Sequence, residues 1–291
     1  MVRHRSSVVG RMSFVVDMET QKAKAEAFRA MHRGGRILLL PNAWDVASAR
    51  VFAESGFGAI ATTSAGIAFT VGYPDGQRIS REEMLGVVRR IVTAVPVPVT
   101  ADVEAGYGDR PEDAARTARE VAAAGAVGMN LEDATRDPLH PLFDLTLQIE
   151  RVKAVVEAAQ QDAPMVLNAR TDVYLLQLET PEKRYDAALR RLAAYRDAGA
   201  DCVFVPGLGD AETIGRLVKD LQCPVNILVG PGFPAVPELH KLGVARVSVG
   251  SSAMRATLGL VKRIAEELKN TGTYGALEGG IAFADVNRMM M

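Results

Sequence analysis

The feature that most constrains the fold of this chain is a unit that recurs along it: a short apolar run, a turn and an amphipathic helix. Apolar runs that alternate with helices are typical of parallel strands whose outer faces are covered by helices. The chain contains eight such runs, and eight β–α units is the number that closes a (β/α)8 TIM barrel. The predicted strands are residues 36–40, 59–64, 97–104, 126–132, 165–170, 201–205, 224–229 and 245–249.

Capping residues mark the start of several predicted helices. Asp45 is placed to cap a helix that continues to Glu54. Ser80 and Glu83 have the spacing of a capping box, and Pro111 suits the first position of a helix. Further helices are predicted over residues 147–159, 182–198, 212–221, 236–242 and 252–268.

An open, doubly wound sheet is the alternative architecture for alternating strands and helices. Such sheets usually have fewer strands and carry a glycine-rich phosphate-binding fingerprint after the first strand. Residues 41–44 read Pro-Asn-Ala-Trp, which is not such a fingerprint. A barrel of this kind is commonly a single domain of about 250 residues. We therefore predict one barrel domain over residues 19–291, with a helical tail at its end.

Residues 1–18 are predicted to stand apart from the barrel. They contain three arginines and no acidic residue before Asp17, a composition that overlaps with that of a transit peptide. We interpret the segment as a disordered extension, or as a start codon assigned too early with Met12 or Met18 as the true start. It is left out of the predicted fold.

The composition excludes several classes of partner. A net charge of −1 gives no basis for binding nucleic acid or an anionic membrane. No apolar run approaches the ~18 residues of a membrane span. Cys202 and Cys223 lack the spacing of a zinc motif or of a disulfide framework, and Cys202 is predicted to lie in the core. A cytoplasmic location is therefore expected.

Polar residues collect at the carboxyl ends of consecutive predicted strands, where the active sites of TIM barrels lie. Asp102 and Glu104 are two positions apart, and on a strand they would project from one face. Two adjacent carboxylates repel each other unless a cation lies between them. The residues at these strand ends are Thr63 and Ser64, Asp102 and Glu104, Glu132, and Asn168 and Arg170.

This set of residues predicts metal-assisted chemistry on a 2-oxo acid. Three carboxylates suit Mg²⁺ or Mn²⁺, which prefer oxygen ligands. Arg170 offers a planar fork for a carboxylate or a phosphonate of the substrate. A divalent cation that binds a carboxylate and a keto oxygen would favour formation of an enolate when a neighbouring bond breaks. A solvated rim of charges is the alternative interpretation.

The same residues lie in motifs that resemble those of the isocitrate lyase / phosphoenolpyruvate mutase superfamily, and the resemblance extends over residues 25–270. The motifs are Pro41-Asn42-Ala43-Trp44-Asp45, Thr63-Ser64-Ala65-Gly66, Gly72-Tyr73-Pro74-Asp75, Asp102-Val103-Glu104-Ala105-Gly106-Tyr107-Gly108, Asn130-Leu131-Glu132-Asp133 and Asn168-Ala169-Arg170-Thr171-Asp172. The resemblance implies a Mg²⁺-dependent barrel that makes or breaks C–C or C–P bonds through a pyruvate enolate. It also implies a homotetramer or homodimer in which neighbouring subunits exchange the last helix.

Carried over position by position, the resemblance implies a role for each residue of the site. Asp102 would bind the metal directly. The residues that would bind it directly or through water are Asp75, Glu104 and Glu132. The residues that would contact the small 2-oxo acid substrate are Trp44, Thr63, Ser64, Ala65, Asp102 and Arg170, and Arg170 is also assigned to catalysis.

The loop after the fourth predicted strand departs from the pattern of the superfamily. The lyases carry a Cys-Gly-His motif there, in which the cysteine is the catalytic acid, whereas residues 133–141 of this chain contain no cysteine. His140 on this loop and Tyr73 are the candidates for the missing acid. The alternatives are a surface histidine flanked by prolines and a tyrosine that only packs.

The leading hypothesis is therefore a Mg²⁺-dependent C–C lyase or decarboxylase that acts on a small 2-oxo or 2-hydroxy dicarboxylate. The first alternative is a phosphonopyruvate-type hydrolase or mutase, which would break a C–P bond. The second is a catalytically weak protein that binds 2-oxo acids.

Overall fold

The computed structural model describes residues 18–291, in which parallel strands and helices alternate along most of the chain. The strands are Leu38–Leu40 (β1), Asn42–Ala43 (β2), Ile60–Thr62 (β3), Val99–Ala101 (β4), Gly128–Glu132 (β5), Val166–Arg170 (β6), Cys202–Phe204 (β7), Val225–Leu228 (β8) and Arg246–Ser248 (β9). They form one sheet in the order β1-β9-β8-β7-β6-β5-β4-β3-β2. All of the pairs in it are parallel.

The sheet has nine strands in the described residues, rather than eight, because the first strand of the barrel continues beyond the predicted end at residue 40 and is divided at Pro41 into β1 and β2. A proline has no N–H to donate to a neighbouring strand. Strand β1 pairs with β9, and β2 pairs with β3. The Asn42 side chain spans the join: its Oδ1 accepts from the Val249 and Gly250 N–H groups, both at 2.9 Å, and its Nδ2 donates to Thr62 O at 2.8 Å. The divided strand thus closes the sheet, and the predicted (β/α)8 barrel is confirmed.

The helices confirm most of the predicted pattern. They are Met18–Met31 (α1), Val46–Glu54 (α2), Ser64–Thr70 (α3), Arg81–Ala94 (α4), Pro111–Ala123 (α5), Leu145–Gln161 (α6), Pro181–Asp197 (α7), Ala211–Leu221 (α8), Val236–Lys241 (α9), Ser252–Asn270 (α10) and Phe283–Met290 (α11), with a 3₁₀ turn at Gly275–Leu277. Asp45 caps α2, and Ser80 and Glu83 form the predicted capping box of α4. No helix within residues 18–291 is both long enough and apolar enough to cross a membrane.

Some boundaries differ from the prediction. Helix α3 occupies the start of a segment that was predicted to be a loop, and its first turn is capped by Thr63, whose Oγ1 accepts from Gly66 N at 3.3 Å. Strand β4 ends at Ala101, so the prediction that it continues to Glu104 was wrong. The predicted N-terminal extension lies outside the described residues except for Met18, which begins α1.

The amino-terminal end of the barrel is covered by α1. Phe28 is fully buried in a cluster with residues at the starts of strands, among them Ala59 and Val127. A Cβ at Gly128 would lie 3.0 Å from the Phe28 ring and 2.8 Å from Thr100 Oγ1, so only glycine fits there. Cys202 is fully buried, which confirms its predicted place in the core. Within the described residues, α1 therefore closes off the amino-terminal end of the barrel around Phe28, opposite the carboxyl ends of the strands.

Candidate active site

A cavity of about 260 Å³ opens at the carboxyl ends of the strands. Its walls come from loops and strand ends that are far apart in sequence. The residues lining it are Asn42, Thr63, Ser64, Ala65, Asp75, Asp102, Asn130, Arg170, Leu175, Phe204, Leu228, Arg246, Ser248, Gly250, Ser251 and Arg255. Two carboxylates and three arginines therefore share one small space, which suits an anionic ligand held beside a cation.

Asp102 is held in a fixed orientation directly after β4. Its Oδ2 accepts from the Ser64 N–H at 3.0 Å and from the Ser64 hydroxyl at 2.8 Å. Its Oδ1 accepts from Asn130 Nδ2 at 3.3 Å, and Asn130 Oδ1 in turn accepts from Asn168 Nδ2 at 2.8 Å. This chain of bonds fixes the carboxylate before any ligand binds, which is the preorganisation that metal and catalytic sites need.

Glu104 reaches the same region by a different route from the one that strand alternation predicted. Because β4 ends at Ala101, the two carboxylates are not on one face of a strand; Glu104 instead has a φ of 53°, in the left-handed region. Its Oε2 accepts from the Gln77 N–H, and Gln77 Oε1 accepts from the Tyr107 N–H at 2.7 Å. Thus the loop that carries Asp75 is bonded to the loop that carries Glu104.

The charges on these loops repel one another. Burial raises the pKa of Glu104 to about 8, and the neighbouring carboxylates of Asp75 and Asp102 add to the shift. Burial, followed by repulsion from Asp102, also raises the pKa of Asp75. The Oε1 atom of Glu104 is buried without a hydrogen-bond partner. A divalent cation would relieve both the repulsion and the unpaired oxygen.

These residues fit a magnesium ion that keeps part of its water shell. Within residues 18–291, no three acidic, histidine or cysteine side chains come close enough together to bind one ion directly. Mg²⁺ commonly keeps several waters and binds only one or two carboxylates. The residues of this chain that would hold it are Asp102 and, through water, Asp75, Glu104 and Glu132.

Arg170 is engaged by two carboxylates on its own side of the cavity. Its Nε and Nη2 donate to Asp172 at 2.5 and 3.0 Å, and its Nη1 donates to Glu132 Oε1. Burial raises the pKa of Glu132, an effect that Arg170 opposes. Three of the five N–H groups of the guanidinium are therefore in use, and the remaining two are available to a substrate.

A buried network behind Arg170 fixes Asp172. Asp133 is fully buried, and its Oδ1 accepts from the Asp172 N–H at 2.9 Å. Its Oδ2 accepts from the hydroxyls of Thr171 and Tyr195, at 2.6 and 2.7 Å, and from Arg191 at 3.2 Å. Asp133 thereby positions the partner of Arg170 and also anchors the loop that follows β5.

The structure brings most of the predicted site residues together, while their predicted functional roles stay predictions. The predicted residues that line the cavity are Thr63, Ser64, Ala65, Asp75, Asp102 and Arg170. Glu132 is bonded to Arg170, and Glu104 to the Asp75 loop. Trp44, a predicted substrate contact, is not among the lining residues; a Cβ on Gly66 would be 2.9 Å from Trp44 Cβ, so the tryptophan packs against the first turn of α3.

The two candidates for the catalytic acid do not line the cavity. The His140 side chain is 80% exposed, and its Nδ1 lies 2.8 Å from Asp137 Oδ2 on the same loop. Tyr73 is 38% exposed. Either residue would need a loop movement to reach a ligand, because neither is among the residues that surround the cavity.

The sequence interpretation missed several polar residues of the site. Asp172 lies two positions after Arg170, a spacing that could have indicated a partner for the guanidinium. Arg246 was read as part of an apolar run, although a charged residue within a buried strand is itself a signal. Asn130 lies in one of the quoted motifs but was given no role, and no local pattern marks Gln77, because the partners of both residues are distant in sequence.

The sequence and the fold were compared with those of known proteins. Residues 28–269 match the family model described as phosphoenolpyruvate phosphomutase. An uncharacterised protein of Mycobacterium tuberculosis (strain CDC 1551 / Oshkosh) is 36% identical, over 80% of this chain and 84% of its own length. The 2-methylisocitrate lyase of Salmonella typhimurium is 28% identical, over 85% of each chain.

Solved structures show the same relationship. A protein of Burkholderia cenocepacia J2315, provisionally named a lyase/mutase, superposes with a TM-score of 0.87 and 41% identity, over 93% of this chain and 96% of its own. The structure of 2,3-dimethylmalate lyase, a PEP mutase/isocitrate lyase superfamily member, gives a TM-score of 0.81 and 28% identity, over 92% and 95% of the two chains. The chain therefore belongs to the phosphoenolpyruvate phosphomutase family within the PEP mutase/isocitrate lyase superfamily of enzymes, which includes its lyase relatives.

Proposed function

We propose that the protein is a Mg²⁺-dependent C–C lyase or decarboxylase that acts on a small 2-oxo or 2-hydroxy dicarboxylate. The observation that carries the proposal is the fixed Asp102 carboxylate, which lies at the edge of a closed-bottom cavity beside mutually repelling acids and Arg170. The similarity of the chain to 2-methylisocitrate lyase favours the cleavage of a C–C bond.

In this proposal each part of the chain has a separate task. When bound, Mg²⁺ would supply Lewis-acid stabilisation of negative charge that develops on the substrate. The two unused N–H groups of Arg170 would orient a carboxylate of the substrate. The Phe204 ring, whose centroid is 5.5 Å from the guanidinium carbon of Arg170, would pack against that guanidinium. The small volume of the cavity would limit the access of water to the reacting carbon. His140 and Tyr73 remain our proposals for a proton donor carried by a mobile loop.

The test is pyruvate release in the presence of Mg²⁺, with oxaloacetate and methylisocitrate as the first substrates. The wild-type protein is expected to release pyruvate, and Asp102→Ala is expected to lose at least about 100-fold in kcat/KM, because the carboxylate that holds the cation is gone. Asp186→Asn, on the exposed face of α7, is the matched control and should retain full activity. Unchanged turnover in the Asp102 variant would refute the metal assignment.

An enzyme that breaks a C–P bond by hydrolysis or by a mutase reaction is the second candidate, and the matching family model favours it. A phosphonopyruvate-type hydrolase or mutase would use the same carboxylates and the same arginine. Incubation with phosphonopyruvate distinguishes the two: phosphate release by a hydrolase, or conversion to phosphoenolpyruvate by a mutase, without any turnover of dicarboxylates would establish C–P chemistry. Stabilisation by oxalate without turnover of any of these substrates would indicate a protein that binds 2-oxo acids.

We also propose that the protein is a homodimer or homotetramer that exchanges its last long helix, α10. Met254 is the only buried residue of this helix in the described chain. Large apolar side chains of α10 are exposed, namely Leu258, Leu260, Val261 and Leu268. A contiguous apolar helix face of this kind favours burial against another subunit. Light scattering coupled to size-exclusion chromatography would show a mass of one chain if the proposal is wrong.

A further inference from the structure

Arg246, the first residue of β9, is a buried cation that lines the cavity of the candidate active site. Only 1% of its surface is exposed. Its Nε and Nη1 have no hydrogen-bond partner, and within residues 18–291 it forms no ion pair. Charged groups are almost never buried without a partner, because the loss of hydration is not recovered. An unpartnered guanidinium at a ligand cavity therefore indicates a place for an anion.

The other two arginines of the cavity are in different situations. Arg170 is held by Asp172 and Glu132 through three hydrogen bonds. Arg255 is exposed at the start of α10, where its Nη2 donates to Ser252 Oγ at 3.3 Å. Among the described residues of the cavity wall, Arg246 is thus the arginine that combines full burial with unpaired N–H groups.

A purely structural role as counter-ion to Asp102 does not account for Arg246. Both carboxylate oxygens of Asp102 already accept hydrogen bonds, from Ser64 and from Asn130, and neither accepts one from Arg246. A carboxylate that enters the cavity can approach the guanidinium with both oxygens, which is the geometry that arginine favours.

Arg246 and Asp102 come from different walls of the cavity, although the charge of Asp102 still acts on the guanidinium. Strand β9 is two strands away from β3, across the divided first strand, and β4 with Asp102 lies beyond β3. Ser248, two residues after Arg246, also lines the cavity, so both side chains belong to the β9 wall. A ligand between Asp102 and Arg246 would span the cavity, with one end at the cation and the other at β9.

The backbone N–H groups that follow β9 cannot substitute for Arg246. The Val249 and Gly250 N–H groups are already bonded to Asn42 Oδ1 at 2.9 Å. These two N–H groups are therefore not available to a second anion, whereas the Arg246 guanidinium on the same wall is.

We propose that Arg246 binds the second carboxylate of the substrate, the one remote from the cation, and so selects dicarboxylates over monocarboxylates of equal length. The inference rests on the proposed function, because it assumes that the first carboxylate and its neighbouring oxygen lie at the Asp102 side. The inference thus assigns substrate specificity to Arg246 on β9, in addition to the residues of the metal side.

The test compares the binding of malate and 2-hydroxybutyrate, which differ only in a carboxylate replacing a methyl group, by calorimetry at saturating Mg²⁺. Wild-type protein is expected to bind malate about 10- to 100-fold more tightly, the effect of one charge-assisted, bidentate pair. In Arg246→Met, which keeps the volume but loses the donors, the preference should fall below about threefold. Arg255→Met tests the exposed arginine of the cavity, and Arg263→Met, on the exposed face of α10 outside the cavity, is the matched control; both should keep the preference.

Equal affinity for the two ligands in wild-type protein, or no measurable binding of malate, would overturn the proposal. If Arg255→Met loses the preference for malate and Arg246→Met keeps it, Arg255 binds the second carboxylate, and the proposal is overturned. Oxalate binding serves as a check that the Arg246 variant is folded. If it is not folded, a crystal structure of wild-type protein with malate decides, since a carboxylate oxygen must then lie within hydrogen-bond distance of the guanidinium.

Failure of this inference can be distinguished from failure of the proposed function. The binding experiment needs no turnover, so a protein that cleaves nothing can still show the dicarboxylate preference. Conversely, pyruvate release that depends on Asp102 but shows no dependence on Arg246 would leave the lyase assignment intact and remove the subsite.

Discussion

Replacing Glu104 with glutamine should stabilise the metal-free protein at neutral and alkaline pH. Glu104 is 5% exposed, and burial together with the charges of Asp75 and Asp102 raises its pKa to about 8. The folded protein therefore binds this proton more tightly than the unfolded chain does. The stability that this proton contributes is fully present below the ordinary glutamate pKa near 4.5 and is lost as the pH rises through about 8.

The size of the effect follows from the pKa shift. Each pKa unit corresponds to about 1.4 kcal/mol, so the shift from about 4.5 to about 8 amounts to about 5 kcal/mol, of which about 4 kcal/mol is lost between pH 5 and pH 9. For a protein of this size, 1 kcal/mol changes Tm by roughly 2–4 °C. The wild-type protein should thus lose on the order of 10 °C more than Glu104→Gln between pH 5 and pH 9, because the amide of glutamine does not titrate.

The assay is thermal unfolding in EDTA across that pH range, followed by titration with Mg²⁺. Magnesium should restore more stability to wild-type protein than to Glu104→Gln, because only the carboxylate can be neutralised by the cation. Glu157→Gln, on the exposed face of α6, is the matched control and should follow wild type. Identical pH slopes for wild type and Glu104→Gln would refute the reasoning.

Two further substitutions test how the site is supported. Arg151 is fully buried and donates to the carbonyl oxygens of Ala105 and Gly108, so Arg151→Met should cost about 3 kcal/mol in urea unfolding and also weaken Mg²⁺ binding; unchanged Mg²⁺ affinity would show that the loop keeps its shape without these bonds. Asn42→Ala removes three hydrogen bonds across the divided first strand and should cost about 2–3 kcal/mol. Asn42→Asp, which keeps the acceptor, should cost less than Asn42→Ala, and an equal cost would show that the Oδ1 bonds do not matter.

The barrel could be predicted from sequence because each of its units is local. An apolar run, a cap such as Asp45 or the Ser80–Glu83 box, and a helix all lie within a few tens of residues. Helix α3 was missed because it is only seven residues long and includes Gly66. Its stability comes from packing of that glycine against Thr63 and Trp44, a contact that no local pattern shows.

The polar residues at strand ends predicted where the cavity lies, since parallel strands bring their carboxyl ends together. The same reasoning failed for the geometry of Glu104, because a left-handed turn replaces the last part of the predicted strand. It also failed for Arg246 and Asp172. The roles of these two depend on whether a partner is present in three dimensions, and spacing along the chain does not determine that.

The divided first strand can complete its pairing only late in synthesis of the chain. Asn42 finds its partners Val249 and Gly250 only after 207 and 208 further positions. At roughly 5–20 residues per second, a ribosome needs about 10–40 s to synthesise that distance. Through this interval β1 has no β9 to pair with, so its unpaired edge is open to other nascent chains or to chaperones. Strand β1 therefore stays unpaired until β9 has been synthesised. Slower synthesis of the residues before Arg246 should lengthen this interval and increase aggregation of the nascent protein.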